Sequence, residues 1–119
     1  MKEVKPLHER IRELREDHDL KQEDVAKFLG IKQQYYSNYE MGTYVLPIRH
    51  LISLAELYQC NTDYILGLTG YEHSLDKLRE PFYHYVTLGS VVSDIISLVP
   101  EKRKMLLDYL TFLVSLQEK

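Results

Sequence analysis

The sequence predicts an all-α protein in which a compact five-helix domain is followed by a C-terminal helical segment. Between residues 6 and 67, apolar residues recur at the spacing of helix faces, and no stretch alternates in the manner of a strand. The connections are short, and Gly, Pro or Asn stands where helices end or begin. Towards the C-terminus, two further helices share a wide apolar stripe that another surface must cover.

The first two helices are indicated by inward faces and by their ends. Six apolar residues form the inward faces: Leu7, Ile11, Leu14, Val25, Ala26 and Leu29. The polar run Asp17 to Asp19 ends the first helix. Glu23 and Asp24 lie in the first turn of the second, and Gly30 follows its last turn. Acidic residues at the start and glycine at the end are what helix termini favour.

The third helix is predicted from KQQYYSNYEMG, residues 32–42. On a helix over 33–41, advancing about 100° per residue, Tyr36, Tyr39 and Glu40 cluster on the inward side. The outward side carries Gln33, Gln34, Ser37, Asn38 and Met41. The turn after the second helix is short, so the two helices cross steeply. This is helix-turn-helix geometry, in which the second helix offers its N-terminal half to a major groove.

The fourth and fifth helices complete a domain over residues 1–69. Pro47 is suited to the first position of the fourth helix. The inward face of that helix carries Leu51, Leu54, Ala55 and Tyr58. Asn61 is placed to cap the fifth helix, with Asp63 in its first turn.

The rest of the chain divides into a linker over 70–89 and a helical segment over 90–119. In the linker, Ser74 can cap a short helix that Pro81 stops, and residues 82–88 can be extended. The segment over 90–119 reads as two helices hinged near Pro100. We expect its apolar stripe to dimerise through Leu106, Leu110, Leu113 and Val114. Folding back on the first domain around a small-molecule pocket is the alternative, and the sequence leaves both open.

The composition limits the classes of partner. The net charge is −3, which argues against tight non-specific nucleic-acid binding and leaves specific binding open. No apolar run is long enough to cross a bilayer, and the N-terminus lacks the apolar region of a secretory signal. Cys60 is the single cysteine, which suits a reducing compartment. We therefore expect a cytoplasmic protein with no membrane partner.

The sequence contains no motif for catalysis, a cofactor or a metal. The five histidines lack metal-ligand spacing, and Cys60 has no partner cysteine. LGLTG, residues 66–70, has neither the Lys-Ser/Thr pair nor the preceding strand of a phosphate-binding loop. We therefore expect no enzyme, no cofactor and no metal site, and the sequence does not indicate a small-molecule effector.

Residues 7–66 resemble the Xre family, the helix-turn-helix domain of lambdoid phage repressors and Cro proteins. The matching residues are Arg15, Gln22, Val25, Ala26, Leu29, Gly30, Gln33, Gln34, Ser37, Tyr39, Glu40, Gly42, Pro47, Leu51, Leu54, Ala55, Asp63, Tyr64 and Ile65. The resemblance covers about half of the chain. It implies a five-helix repressor-type fold and double-stranded DNA as the partner.

The resemblance also implies roles for individual residues. Gln22 would contact a phosphate and support the third helix, and Arg15 with Glu40 would form an internal ion pair. Four residues of the third helix would face bases or the backbone: Gln33, Gln34, Ser37 and Asn38. The physical chemistry agrees, because Gln and Asn amides can hydrogen-bond bidentately to adenine.

Further contacts to the duplex backbone are expected around this face. Thr43 and Tyr44, after the third helix, would lie along the backbone, and Lys32 would contact DNA at the start of that helix. Lys21 stands where the family often has a Thr or Ser cap, so it can meet a phosphate directly. Tyr35 either lies against sugar and phosphate or is an exposed aromatic. The loop after Gly42 lacks the basic residues common in the family, so we expect few phosphate contacts.

These observations predict a sequence-specific DNA-binding transcriptional regulator, a repressor that binds a two-fold operator as a homodimer. One small domain makes too few contacts for high specificity, and two copies on neighbouring half-sites supply more. A protein-interaction module on the same fold, such as an antitoxin-like or anti-repressor partner, is the alternative. The acidic balance and the tyrosine-rich third helix support that alternative.

Overall fold

The structure is a computed structural model that describes residues 1–118. The chain divides into two compact units, Met1–Leu75 and Asp76–Lys119. The fold is mostly helical, as the sequence predicts, with one small two-stranded sheet. No helix within residues 1–118 has the length and apolar character needed to cross a membrane.

The first unit contains the five predicted helices. They are α1 (Leu7–Asp17), α2 (Gln22–Leu29), α3 (Gln33–Glu40), α4 (Ile48–Tyr58) and α5 (Thr62–Leu66). Pro47 lies one position before α4, as its N-cap, rather than at its first residue. The turn between α2 and α3 passes through Gly30 at φ 73°, a left-handed conformation that glycine adopts without steric cost. This turn sets the crossing of the two helices.

Two helix ends are held by specific hydrogen bonds. The Lys21 backbone N–H donates to Asp24 Oδ2 at 2.8 Å, so the acidic residue of the first turn holds the start of α2. Asn61 Oδ1 accepts from the backbone N–H of Tyr64 at 2.8 Å and caps α5. The Asn61 side chain also donates to the carbonyl oxygens of Tyr71 at 2.7 Å and His73 at 2.9 Å. Asn61 therefore connects α5 to the chain that follows it.

The five helices enclose one apolar core. Its buried members are Ile11, Leu14, Val25, Ala26, Tyr36, Tyr39, Leu46, Leu54, Tyr58, Cys60, Tyr64 and Ile65. Arg10 is also fully buried, and its Nη1 donates to Tyr64 Oη at 2.8 Å and to Glu13 Oε1 at 2.7 Å. A buried guanidinium is tolerated because these partners and the Glu3 carbonyl oxygen accept from Nη1 and Nη2, whereas the buried Nε has no hydrogen-bond partner within residues 1–118.

The N-terminal residues pack closely against the end of the first unit. The Lys2 backbone N–H donates to the Gly70 carbonyl oxygen at 2.9 Å. A Cβ at Gly70 would lie 1.9 Å from the Lys2 carbonyl oxygen, so only glycine fits there. Cys60 and His73 form an isolated antiparallel bridge nearby. Residues 70–73 are thus part of the packed first unit.

The remaining residues form a 3₁₀ helix (Leu75–Arg79), a hairpin of β1 (Pro81–Tyr83) and β2 (Val86–Thr87), and the helices α6 (Leu88–Ser97) and α7 (Pro100–Gln117). The short helix and the extended region expected between 70 and 89 correspond to the 3₁₀ helix and the hairpin. His84 turns the hairpin at φ 49°. Thr87 Oγ1 caps α6 by accepting from the Ser90 N–H at 3.1 Å.

The second unit exposes its apolar side chains. Among the described residues from Asp76 onward, none is buried. In α7 only Leu106 is half-covered, and Leu110, for example, is 43% exposed. The first unit has a core of its own, whereas the second has apolar surface without a core.

Candidate nucleic-acid interface

Helix α3 has one buried side and one open side. Tyr36, Tyr39 and Glu40 are buried, as the helical spacing predicts. The open side carries Gln33, Gln34 and Tyr35, which are exposed, and Ser37 and Asn38, which are half-buried. The open side is therefore mostly uncharged amide and hydroxyl groups, which can both donate and accept hydrogen bonds.

An ion pair fixes the buried side of α3 to α1. Arg15 Nε donates to Glu40 Oε2 at 2.7 Å, and Arg15 Nη2 donates to Glu40 Oε1 at 3.0 Å. This is the bidentate geometry in which an arginine–carboxylate pair is strongest. Burial raises the pKa of Glu40, but the hydrogen bonds from Arg15 and Gln22 outweigh burial and hold that pKa below its ordinary value. The carboxylate therefore stays ionised and keeps the two helices in register.

The ion pair continues through two glutamines to the open side. Gln22 Nε2 donates to Glu40 Oε1 at 3.1 Å, and Gln22 Oε1 accepts from Gln33 Nε2 at 2.8 Å. Four side chains on three helices thus form one hydrogen-bonded series, from Arg15 in the interior to Gln33 on the surface. Gln22 is half-buried in this series and supports the third helix directly.

The loop after α3 is anchored by Asn38. Its carbonyl oxygen accepts from the N–H groups of Thr43 at 3.0 Å and Tyr44 at 3.2 Å. Its Nδ2 donates to the Gln34 carbonyl oxygen at 3.2 Å, within the same helix. Asn38 therefore uses part of its hydrogen-bonding capacity locally, whereas the structure shows no such bond from the Gln34 side chain within residues 1–118. Thr43 and Tyr44 themselves are exposed beside the open side.

Three tyrosines pack together along one edge of α3. The Tyr35 ring lies 5.7 Å from the Tyr39 ring and 5.1 Å from the Tyr44 ring, centroid to centroid. Tyr39 Oη lies 3.4 Å from Nδ1 of the buried His50. Tyr35 is therefore an exposed aromatic held in place by neighbours.

Beside this edge lies a groove that the sequence does not reveal. It has a volume of about 320 Å³, and Lys32, Tyr35, Tyr39, Arg49 and His50 are among its lining residues. Burial first, and then the positive charge of Arg49, lower the pKa of His50. Arg49 lies outside the inward face of α4, which predicts only that its side chain is exposed. Its position beside α3 depends on how the helices pack.

Within residues 1–118, no group of three or more His, Cys, Asp and Glu side chains is arranged to hold a metal ion. Cys60 is buried, and burial raises the pKa of its thiol to about 11.

The comparisons with known proteins agree with this geometry. The helix-turn-helix family model matches residues 11–65. The SPbeta prophage-derived HTH-type transcriptional regulator YonR of Bacillus subtilis (strain 168) is 30% identical over 103 residues, which are 86% of this chain and 90% of YonR. The chain belongs to the Xre-type helix-turn-helix family of DNA-binding transcriptional regulators. The resemblance seen in the sequence is thereby confirmed.

Other members of the family match parts of the chain. The HTH-type transcriptional regulator YobD of the same organism is 43% identical over 61 residues, which are 51% of this chain and 54% of YobD. This chain thus spans about half the length of YobD. The P22 c2 repressor, in a crystal structure with synthetic operator 9T, covers 55% of this chain over 98% of its own, with 26% identity and a TM-score of 0.51.

One solved structure extends into the second unit. A transcriptional regulator from Listeria innocua covers 90% of this chain over 94% of its own, with 21% identity and a TM-score of 0.52. It supports the fold of the chain.

Proposed function

We propose that this regulator is a repressor that binds a two-fold operator as a homodimer, with α3 in the major groove. One observation carries the proposal: α3 presents Gln33 and Gln34 on its open side while the Arg15–Glu40 pair fixes its buried side. The likeness to the P22 c2 repressor, which was crystallised on an operator, covers this region.

The open side of α3 has the chemistry of base recognition. A glutamine amide can donate to N7 and accept from the N6 amino group of adenine in the major groove. Gln33 and Gln34 are therefore the proposed base contacts. Asn38 and Ser37 are further proposed contacts on the same side of α3. Around them, we propose that Lys21, Gln22, Thr43 and Tyr44 contact the duplex backbone, because backbone contacts fix the orientation of a recognition helix.

The homodimer is proposed from the exposed apolar surface of α7. At 100° per residue, apolar side chains cover about 220° of this helix, more than twice the stripe of an ordinary surface helix. They are Met105, Leu106, Leu107, Tyr109, Leu110, Phe112, Leu113, Val114 and Leu116. The narrow polar strip carries Glu101, Lys104, Asp108, Thr111 and Ser115. A helix with so wide an apolar surface must be contacted from more than one side.

A second copy of the chain supplies the contact on one of these sides in the proposed dimer. The seam is formed by Leu106, Leu110, Leu113 and Val114, along a helix about 27 Å long at 1.5 Å per residue. Two copies also explain how one small domain reaches specificity, because a dimer places two recognition helices on half-sites about 34–36 Å apart.

A titration tests the base contacts. Operators are selected from a random duplex pool with the parent protein, and binding is then measured for Gln33→Ala and Gln34→Ala. We expect each variant to lose discrimination at its own base pair by about 1–3 kcal/mol. Gln59→Ala, which removes the same side chain from an exposed position at the end of α4, is the matched control.

Two outcomes contradict parts of the proposal. If both variants bind every sequence as the parent does, the base contacts are assigned wrongly. If the parent binds no DNA even at low salt, the interaction-module alternative is favoured. A partner protein that co-purifies and masks α3 would support that alternative directly.

A further inference from the structure

The groove between the start of α3 and the start of α4 has a lining suited to an anion. We propose that it seats one phosphate of the DNA backbone, held by Arg49 and Lys32, on the edge of α3 opposite to Gln22. The proposal rests on the proposed function and extends it to Arg49, to which the sequence analysis assigns no role.

The two cations of the groove are uncompensated. Arg49 and Lys32 are exposed, and neither forms an ion pair within residues 1–118. No Asp or Glu is among the residues that line the groove. Several other cations within residues 1–118 are paired, as Arg12 is with Glu16 at 2.9 Å. On a chain of net charge −3, two unpaired cations facing one groove make a local positive site.

The groove also offers the hydrogen-bond donors that a phosphate needs. A guanidinium can donate two parallel hydrogen bonds to phosphate oxygens, and an ammonium adds a point charge. The Tyr35 hydroxyl belongs to a ring packed between Tyr39 and Tyr44 along the same edge. The backbone N–H groups of Gln33 and Gln34, which precede the first bonds to the Lys32 carbonyl oxygen, add donors at the positive end of the eight-residue α3.

The position of the groove follows from the order of side chains around α3. At 100° per residue the open side runs from Gln33, through Gln34 and Asn38, to Tyr35. Gln33 lies on the edge that Gln22 contacts, and Tyr35 lies on the edge that lines the groove. A recognition helix in the major groove has one phosphate strand along each edge. Gln22 is therefore placed to contact the phosphates of one strand, and the Arg49 groove is placed to contact those of the other.

The salt dependence of operator binding tests this assignment. Each phosphate contact contributes a slope of about 0.9 to the dependence of log affinity on log salt. A homodimer has two grooves with one phosphate each, so the double variant with Arg49→Gln and Lys32→Gln is expected to reduce the slope by about 1.8, and Arg49→Gln alone by part of that. Lys32→Gln is expected to reduce it as well, and Arg49→Lys to keep it, because the positive charge remains.

A matched control variant and a modified duplex distinguish loss of the groove contact from a general loss of positive charge. Arg12→Gln removes the same charge from an exposed arginine already paired with Glu16, and the parent slope is expected to persist. Neutral methylphosphonates are then placed one at a time along a selected half-site. One position should weaken the parent and leave Arg49→Gln unaffected, because that contact is already gone.

The outcomes distinguish the groove from the proposed function. If the parent binds its operator and Arg49→Gln behaves as Arg12→Gln does, the groove assignment is overturned while base recognition stands. If no methylphosphonate position depends on Arg49, the assignment is also overturned. A parent protein without operator binding overturns both proposals.

Discussion

The two units of the chain differ in what they do with their apolar residues. In the first, residues from all five helices and the α3–α4 loop meet in one core, and even Arg10 is enclosed there. In the second, α7 carries nine apolar residues over 18 positions, yet no described residue is buried. The presence of apolar residues does not distinguish the two units, whereas the burial of those residues does.

This difference indicates which unit is held together by its own contacts alone. The first buries enough apolar surface to hold a recognition helix in a fixed orientation through its own contacts. The second leaves large apolar side chains in water, which soluble proteins rarely do over a continuous surface. Its stability is therefore expected to depend on what covers it, and the proposed cover is a second copy.

The largest expected effect comes from placing a charge in the exposed apolar surface of α7. Leu110→Lys is expected to dissociate the proposed dimer, because a buried lysine in the seam would be unpaired. Losing the link between two half-sites should lower the apparent operator affinity by roughly 10²–10⁴-fold. Light scattering and a binding titration measure the two effects. Ser115→Lys, on the polar strip, should leave both unchanged, and a parent that is already monomeric would refute the dimer.

A truncation in the core of the first unit is expected to have the next largest effect. Leu54 is fully buried, and Leu54→Ala should lower the free energy of unfolding by about 2–5 kcal/mol. Urea denaturation should give this loss at low and at high protein concentration, because the core is made within one chain. Leu68→Ala, the same change at a leucine that is 71% exposed, should stay within about 0.5 kcal/mol of the parent. Equal losses in the two variants would contradict the assigned core.

The smallest expected effect concerns the ion pair between α1 and α3. Glu40→Gln should lower the free energy of unfolding by about 1–3 kcal/mol at pH 7, since charged hydrogen bonds are lost. The pKa of Glu40 lies below its ordinary value in the folded state, so its stabilising contribution is full above about pH 4.5 and is lost at lower pH. The difference between parent and variant should therefore shrink on acidification.

An exposed carboxylate gives the control for this experiment. Glu16→Gln removes a side chain that is 52% exposed and pairs with Arg12, and such pairs contribute about 0–1 kcal/mol. Urea unfolding across pH 3 to 7 would measure both variants. A difference for Glu40→Gln that stays constant with pH would contradict the direction of its pKa.

The helices of the first unit were predictable because each has a one-sided apolar pattern and marked ends. Gly30 and Asn61 mark such ends, and the structure places both there. The inward placement of Tyr36 and Tyr39 also followed from spacing alone. The partnership of Arg15 with Glu40 came from the family resemblance, since a sequence does not show which charges on two helices meet.

Other features were not predictable because they depend on tertiary contacts. Arg10 lies on the same stripe as Leu7, Ile11 and Leu14, but only the positions of Tyr64 and Glu13 make its burial tolerable. The hairpin after the 3₁₀ helix has strands of three and two residues, too short for a periodic pattern. The Arg49 groove exists because residues of α3 and of α4, which are separated along the chain, line it together. No local signal encodes that arrangement.

In the proposed complex, the hydrogen bond from Gln33 to Gln22 has a consequence for how selectively α3 contacts bases. A free glutamine on a surface exchanges among many rotamers and loses that freedom when it binds. Here the Gln33 amide is already oriented before any duplex arrives, by a series of bonds that begins at Arg15. Preorganisation of this kind reduces the entropic cost of binding and penalises bases that demand another orientation. In the proposed complex, Arg15 of α1 thus helps to set which bases α3 accepts.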